Sequence, residues 1–262
     1  MNKTSWHPFP CVLLALVGLL IKPSMAQQPV PADTAPGGYQ PEVIGEPEDG
    51  RMKEKPRIED LGGERYRIGA ILVDKANHRF TVPGVMLPYG EGKAIEFLAT
   101  TNQGFKSYES VFSLNSNAFE FNLACILIGL EAKRAVAPRF HFDPQPAKGD
   151  SVSVRVSWEQ QGNTHEHDAV ELLKSGEKSP DTPSTWSYIG SAFIQGDRYL
   201  AQMDGVLIGL VHDPASIIEH REGIGLGNWG MLVVNGSKAP ATGTPITLTV
   251  NRLGEGLNPA MP

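Results

Sequence analysis

The sequence predicts an α+β domain of mostly antiparallel β-strands, with one central buried helix and a short second helix. Three observations predict it. Short alternating runs rich in Val, Ile, Phe and Thr outnumber helical patterns and lie close together along the chain. With 28 Gly and 21 Pro, about 19% of the residues are turn formers against roughly 12% in average usage. A single long stretch, 117–131, carries a helical pattern.

The first element is an expected address. Lys3 precedes an apolar run from Cys11 to Ile21, and Ser24 and Ala26 stand at −3 and −1 of an expected cleavage between Ala26 and Gln27. The run has 11 residues, whereas a membrane span takes about 20. Cys11 opens the run instead of closing it, unlike a lipoprotein signal. Removal of residues 1–26 leaves 236 residues with 21 basic and 29 acidic side chains, and Cys125 as the one thiol. Residues 27–63 hold six Pro, six Gly, eight acidic and four basic residues, with Tyr39 the single aromatic. Such a segment buries too little to offset the entropy of ordering, so a flexible leader is expected there. The folded domain is expected over 64–252, followed by a tail, 253–262.

Within the domain, Ile68, Ala70 and Leu72 alternate up to Asp74, and Arg79–Met86 is a β-like run interrupted by Pro83-Gly84. Lys93–Thr101 places Ile95, Phe97 and Ala99 on one face, and Phe105–Ser113 is a further strand. Asn102-Gln103-Gly104 between them predicts a hairpin turn with Gly104 at positive φ. Asn117 with Glu120 has the spacing of a capping box. Phe119, Leu123, Ile126, Leu127 and Leu130 then share one helix face, which Phe121, Cys125 and Ile128 widen. A helix so apolar is expected to be buried, with Cys125 an inert core thiol. Ser151–Trp158 alternates most clearly, with Val152, Val154, Val156 and Trp158 inward. Tyr188–Gln195, Val206–His212, Met231–Val234 and Ile246–Asn251 complete the strands. Asp213-Pro214 predicts the opening of the short second helix, through Ile217 and Ile218.

Charge and motifs narrow the function. A net charge of −6 argues against nucleic-acid binding, which needs a basic stripe. Two cysteines exclude a disulfide scaffold, a Cys₄ zinc site and an iron–sulfur cluster held by this chain alone. The glycines of 223–230 follow a helical expectation and precede a strand, the reverse of a Rossmann context. Gly90-Glu91-Gly92-Lys93-Ala94 misplaces the P-loop glycine and has Ala94 where a magnesium ligand is needed. There is no G-x-S-x-G elbow and no H-E-x-x-H.

Some groups keep chemistry open. His165 and His167, in His165-Glu166-His167-Asp168, share a face if extended and could join a metal with a third ligand such as His212. A solvated polar turn after Gly162-Asn163 is the plainer expectation. Tyr108 and Ser110 face one side of a predicted strand and Glu109 the other, to meet solvent, Lys93, Arg79 or a ligand. Asp213 caps, while His212 ends an apolar run where it can point into a cleft. A Ser110–His212–Asp213 triad is not expected, because an Asp adjacent to the His bonds back poorly.

Several of these pieces together resemble the YdjY-type domain of exported bacterial proteins, over about Gly69 to Val250. The resemblance rests on Ile71-Leu72-Val73-Asp74, Arg79 with Pro83-Gly84, Glu96-Phe97, Tyr108-Glu109-Ser110, Leu127-Ile128-Gly129-Leu130, Tyr188-Ile189-Gly190-Ser191 and His212-Asp213-Pro214. It implies an exported setting and, through relatives that carry or accompany ferredoxin-type modules, redox company. Relatives have His where this chain has Tyr108, which argues against carrying a metal role over to that strand. The expected function is a periplasmic or secreted non-enzymatic binding or accessory module, without cofactor or membrane anchor, with Tyr108, Glu109, Ser110, His212 and Asp213 as candidate ligand contacts. The alternatives are an enzyme or metal protein using Glu109, His212 and His165 or His167, and a structural partner in an envelope complex.

Overall fold

The computed structural model describes residues 47–90, 93–176, 180, 184–226 and 232–254. The expected signal segment, the Ala26–Gln27 junction, residues 27–46 of the expected leader, Gly227–Met231 and the end of the tail lie outside them. The strands are β1 (Ile58–Gly62), β2 (Arg65–Ile68), β3 (Ile71–Asp74), β4 (Arg79–Met86), β5 (Phe97–Thr101) and β6 (Ser110–Leu114). Helix α1 (Ala118–Leu127) precedes β7 (Asp150–Gln160), β8 (Asn163–Asp168), β9 (Leu173–Ser175), β10 (Trp186–Tyr188), β11 (Phe193–Ile194) and β12 (Arg198–Tyr199). Helix α2 (Leu200–Asp204), β13 (Val206–Gly209), β14 (Ile218–His220), β15 (Leu232–Val234) and β16 (Pro245–Arg252) follow.

The architecture is all-β, which corrects the expected α+β class with a central helix. Eight strands close into a barrel in the order β4-β16-β7-β10-β14-β13-β5-β6, and β6 returns to β4. All neighbours are antiparallel except β13–β14 and β5–β6, which run parallel. Closure follows from β4 serving two partners along one edge. Its first residues, Arg79–Thr81, pair with β3, and Gly84–Met86 pair with β6. Gly84 makes the fork possible: a Cβ there would stand 2.6 Å from the Ser113 carbonyl oxygen and 2.7 Å from Leu114 Cδ2. Strands β1–β3 extend from this fork as an antiparallel flap, with β1, expected to belong to the flexible leader, at its edge.

The wall is built by period-2 alternation. Val82, Leu248 and Val156 lie side by side across β4, β16 and β7, as do Phe80, Val250 and Val154, and all six are buried. β5, β6 and β13 are buried at every position, so segments outside the wall cover them.

Helix α1 begins as expected. Asn117 Oδ1 accepts from Glu120 N at 2.9 Å and the Glu120 carboxylate accepts from Asn117 N. Its place differs, because it closes one barrel end instead of running through the centre. Phe121 meets Phe80 edge-on at 5.2 Å, and Asn122 Oδ1 accepts from the Tyr188 hydroxyl at 2.7 Å. The buried face is Ala118, Phe121, Ala124, Cys125 and Ile128, while Ile126, expected inside, is exposed. Burial pushes the Cys125 thiol well up, consistent with an inert thiol.

The expected second helix after Asp213-Pro214 is a turn. Asp213 Oδ1 accepts from Ala215 N at 2.7 Å, and β-branched Ile217 and Ile218 then lead into β14. The second helix is instead α2. The expected strand over Phe105–Ser113 is a 3-10 turn, Phe105–Glu109, followed by β6. Since β5 and β6 are parallel, the turn before it is no hairpin; Gln103, with φ 57°, takes the left-handed position and Gly104 does not.

Candidate functional site

Strand direction gathers three separated motifs at the barrel end opposite α1. Glu96 precedes β5, Glu109 precedes β6 and His212 follows β13. Because β5 and β6 start where β13 stops, these termini are neighbours. Backbone bonds tie them: Glu96 N donates to Glu109 O at 2.9 Å, and Leu210 N donates to Glu96 O at 2.9 Å.

The centre of the arrangement is His141, supplied by the proline-rich segment between α1 and β7. Its Nδ1 is 2.6 Å from Asp213 Oδ2 and its Nε2 is 3.1 Å from Glu96 Oε2. The Asp213 bond first, then the Glu96 bond, raise the imidazole to about 9, against burial. His141 is therefore cationic near neutral pH. Behind it, Asp213 N donates to Glu219 Oε1. Glu219 is fully buried, and among the described residues its Oε2 has no hydrogen-bond partner. Burial, joined by the Asp213 charge, pushes its carboxyl well above the usual range. Burial likewise raises Asp204, with Asp213 adding to it and Lys106 and His141 opposing it.

The loop that carries His141 is held on every side. Phe142 N donates to His212 O at 2.8 Å, and His212 Nδ1 lies 2.7 Å from Asp143 O. Asp143 accepts from Arg139 N and Arg139 Nε, and these hydrogen bonds keep its carboxyl low. Phe142 itself sits at φ 63°, a strained conformation for an aromatic residue. Phe140, on the same loop, is exposed.

Lys106 adjoins this centre through Phe97, whose ring lies 6.3 Å from that of His141. Lys106 Nζ bonds Glu109 Oε1 at 2.8 Å and stands 5.7–5.8 Å from the Phe97, Phe105 and Tyr108 ring centres. Burial opposes the charge, yet the Glu109 bond and charge leave the ammonium raised.

The predicted residues fall as follows. Glu109 pairs with Lys106 instead of Lys93 or Arg79. Ser110 is buried, and its hydroxyl donates to Lys106 O at 2.7 Å. Tyr108 is exposed beside Lys106. His212 is fully buried and points into no cleft: Nδ1 faces Asp143 O and Nε2 faces Arg221 O at 3.0 Å. The histidine that meets Asp213 is His141. His165 and His167 lie on β8, part of a hairpin turned by Gln161 and Gly162, both at positive φ. Their rings stack on Trp158 at 5.4 and 5.3 Å, and His167 Nδ1 is 3.2 Å from Glu171 Oε2. No group of three His, Cys, Asp or Glu among the described residues is placed to hold a metal. Glu96 and Asp213 lie on opposite edges of the imidazole, so they do not converge on one ion.

His141, Lys106 and Glu219 were missed by sequence reasoning. The only local sign of His141 is an aromatic-flanked His beside Asp143, among Pro138, Pro144 and Pro146. No helix among the described residues is long and apolar enough to cross a membrane.

Neither the curated proteins nor the solved structures yield a match to this chain. The family model described as YdjY domain matches residues 71–251, a span that takes in the barrel from the strand before its fork to its last strand, together with Glu96, Glu109, His141 and Asp213. On that match, the chain belongs to the YdjY domain family.

Proposed function

We propose that the chain is an exported, non-enzymatic binding or accessory module, whose partner or ligand is met at the open side of the His141 site. The reading is carried by one observation: the carboxylates nearest solvent there are engaged with internal cations, Glu96 and Asp213 with His141 and Glu109 with Lys106, while Glu219 is fully buried behind them. Ser110 and His212 are likewise engaged with backbone carbonyls. Covalent or acid–base turnover calls for a nucleophile or base that can reach substrate. What faces solvent instead is aromatic: Tyr108 and Phe140, with His141 about one-third exposed. Exposed aromatic side chains, Phe140 on a strained and well-tied loop and Tyr108 on the 105–109 turn, suit a contact surface. Export rests on the pattern of residues 1–26.

The test is native mass spectrometry of the chain from residue 27, recovered from a bacterial periplasm. A stoichiometric adduct or bound protein that is lost in Phe140→Ala or Tyr108→Ala is expected. Robust turnover on a hydrolase or oxidoreductase panel, abolished by His141→Gln in a folded protein, would overturn the reading.

A further inference from the structure

A second feature lies on the outside of the barrel, where the β1–β3 flap meets the wall. A groove of about 480 Å³ is bounded there by Leu61 and Tyr66 and floored by β3, β4, β16 and β7. That volume suits a small ligand. Two neighbouring cross-strand rows form its floor. Leu72, Thr81, Thr249 and Arg155 make one, and Arg65, Asp74, Arg79 and Asn251 make the other.

The three arginines share a property. Arg79 uses Nε on Asp74 at 3.3 Å, Arg155 uses Nε on Glu166 at 2.7 Å, and Arg65 Nε reaches only the Gly62 carbonyl at 3.5 Å. Among the described residues, the Nη groups of all three have no hydrogen-bond partner. Three guanidinium groups against two carboxylates leave this groove with an excess positive charge, on a chain whose net charge is −6. Guanidinium forks match carboxylates in planar, bidentate geometry.

We propose that this groove binds an acidic oligosaccharide, a short glycan whose ring carboxylates are held by Arg65, Arg79 and Arg155. The floor argues against a peptide held by strand addition. Peptides add to sheets through an open strand edge, whereas β3, β4, β16 and β7 each have neighbours on both sides. A ligand on this floor is read by side chains. Thr81, Thr249 and Asn251 offer hydroxyl and amide partners for sugar hydroxyls, and the exposed Leu61 and Leu72 offer apolar surface for ring C–H faces.

The test is calorimetric titration of the protein with a galacturonic acid trimer and with the neutral galactose trimer. Expected is binding of the acidic trimer alone, weakened by added salt and by at least about tenfold in Arg79→Gln and in Arg155→Gln. Phe140→Ala, which probes the His141 site, leaves it unchanged. Arg65→Gln, which breaks no ion pair with a carboxylate, serves if another variant fails to fold. The proposal is overturned if the acidic trimer does not bind at millimolar concentration, if the neutral trimer binds equally, or if the folded arginine variants keep full affinity. It is equally overturned if oligoglutamate of the same charge binds as tightly, since that marks a peptide or a general polyanion site.

Discussion

A single imidazole between two carboxylates ties the 139–143 loop to the barrel, and its protonation sets where that tie fails. His141 is raised to about 9 by Asp213 and Glu96, from an ordinary 6.5. A raised value means that the folded state holds the proton more tightly. The stabilisation is then fully present below 6.5 and is lost as pH rises through 9. With the ring about one-third exposed, the loss amounts to about 1–2 kcal/mol once solvent screening is allowed for. Denaturant unfolding between pH 6 and pH 10 checks this: the midpoint of the wild type falls, and that of His141→Gln falls less. The difference isolates the histidine from Glu219, whose raised carboxyl also makes stability decline as pH rises. A parallel decline in both proteins contradicts the assignment. At this scale the sequence was half informative. Asp213 was expected as the N-cap of a helix, and its carboxylate does accept from a backbone N–H two residues on, at Ala215, but in a turn that no helix follows. His141 was hidden, because its partners lie 45 and 72 residues away and no periodicity marks an irregular loop.

Elements were legible where one face is wet. β7 and β16 alternate because their outer residues meet solvent, and α1 announces its start through the Asn117–Glu120 box. β6 and β13 gave no alternation, since both of their faces are covered, whereas β5 was read from Ile95, Phe97 and Ala99 on one face although its other face is covered too. The 105–109 turn passed for a strand because it runs without a break into the apolar residues of β6, whereas Phe105 and Tyr108, three residues apart, both lie against Lys106 as a 3-10 turn places them. The element that decides closure is β4, and its Pro83-Gly84 step has a role that the sequence shows only as an interruption. Pro83 O accepts from Asn115 N at 2.8 Å, and Gly84 passes against Ser113 and Leu114. Gly84→Ala therefore presses a methyl into the β4–β6 contact, at a cost of about 1–3 kcal/mol of the kind that overpacking incurs. Chemical denaturation with circular dichroism measures it. A wild-type midpoint would show that β6 can shift away without loss.

Across the whole molecule, closure joins segments that the chain keeps far apart. β4 and β16 pair along nearly their whole length although they lie near opposite ends of the domain, and β6 completes the ring against β4. Local patterns identify strands but not such partners, so mostly antiparallel strands could be anticipated while the barrel could not. The helix was misplaced for the same reason, since being apolar marks burial but not whether it lies within a layer or over an end. The topology also predicts a gradient of stability. β16 is flanked by β4 and β7, and its inward residues Ile246, Leu248 and Val250 are buried. Among the described residues β1 has one neighbour, and it is exposed at every position. An edge strand with so little burial opens without disturbing the ring, whereas β16 cannot leave β4 and β7 without exposing the core. Amide hydrogen exchange should therefore be fast in β1, intermediate in β2 and β3, and slowest in the centres of β4, β7 and β16. Equal protection of β1 and β16 would mean that the flap and the barrel unfold as one unit. The groove between them would then be a rigid wall of the barrel, and not a cleft with one yielding side.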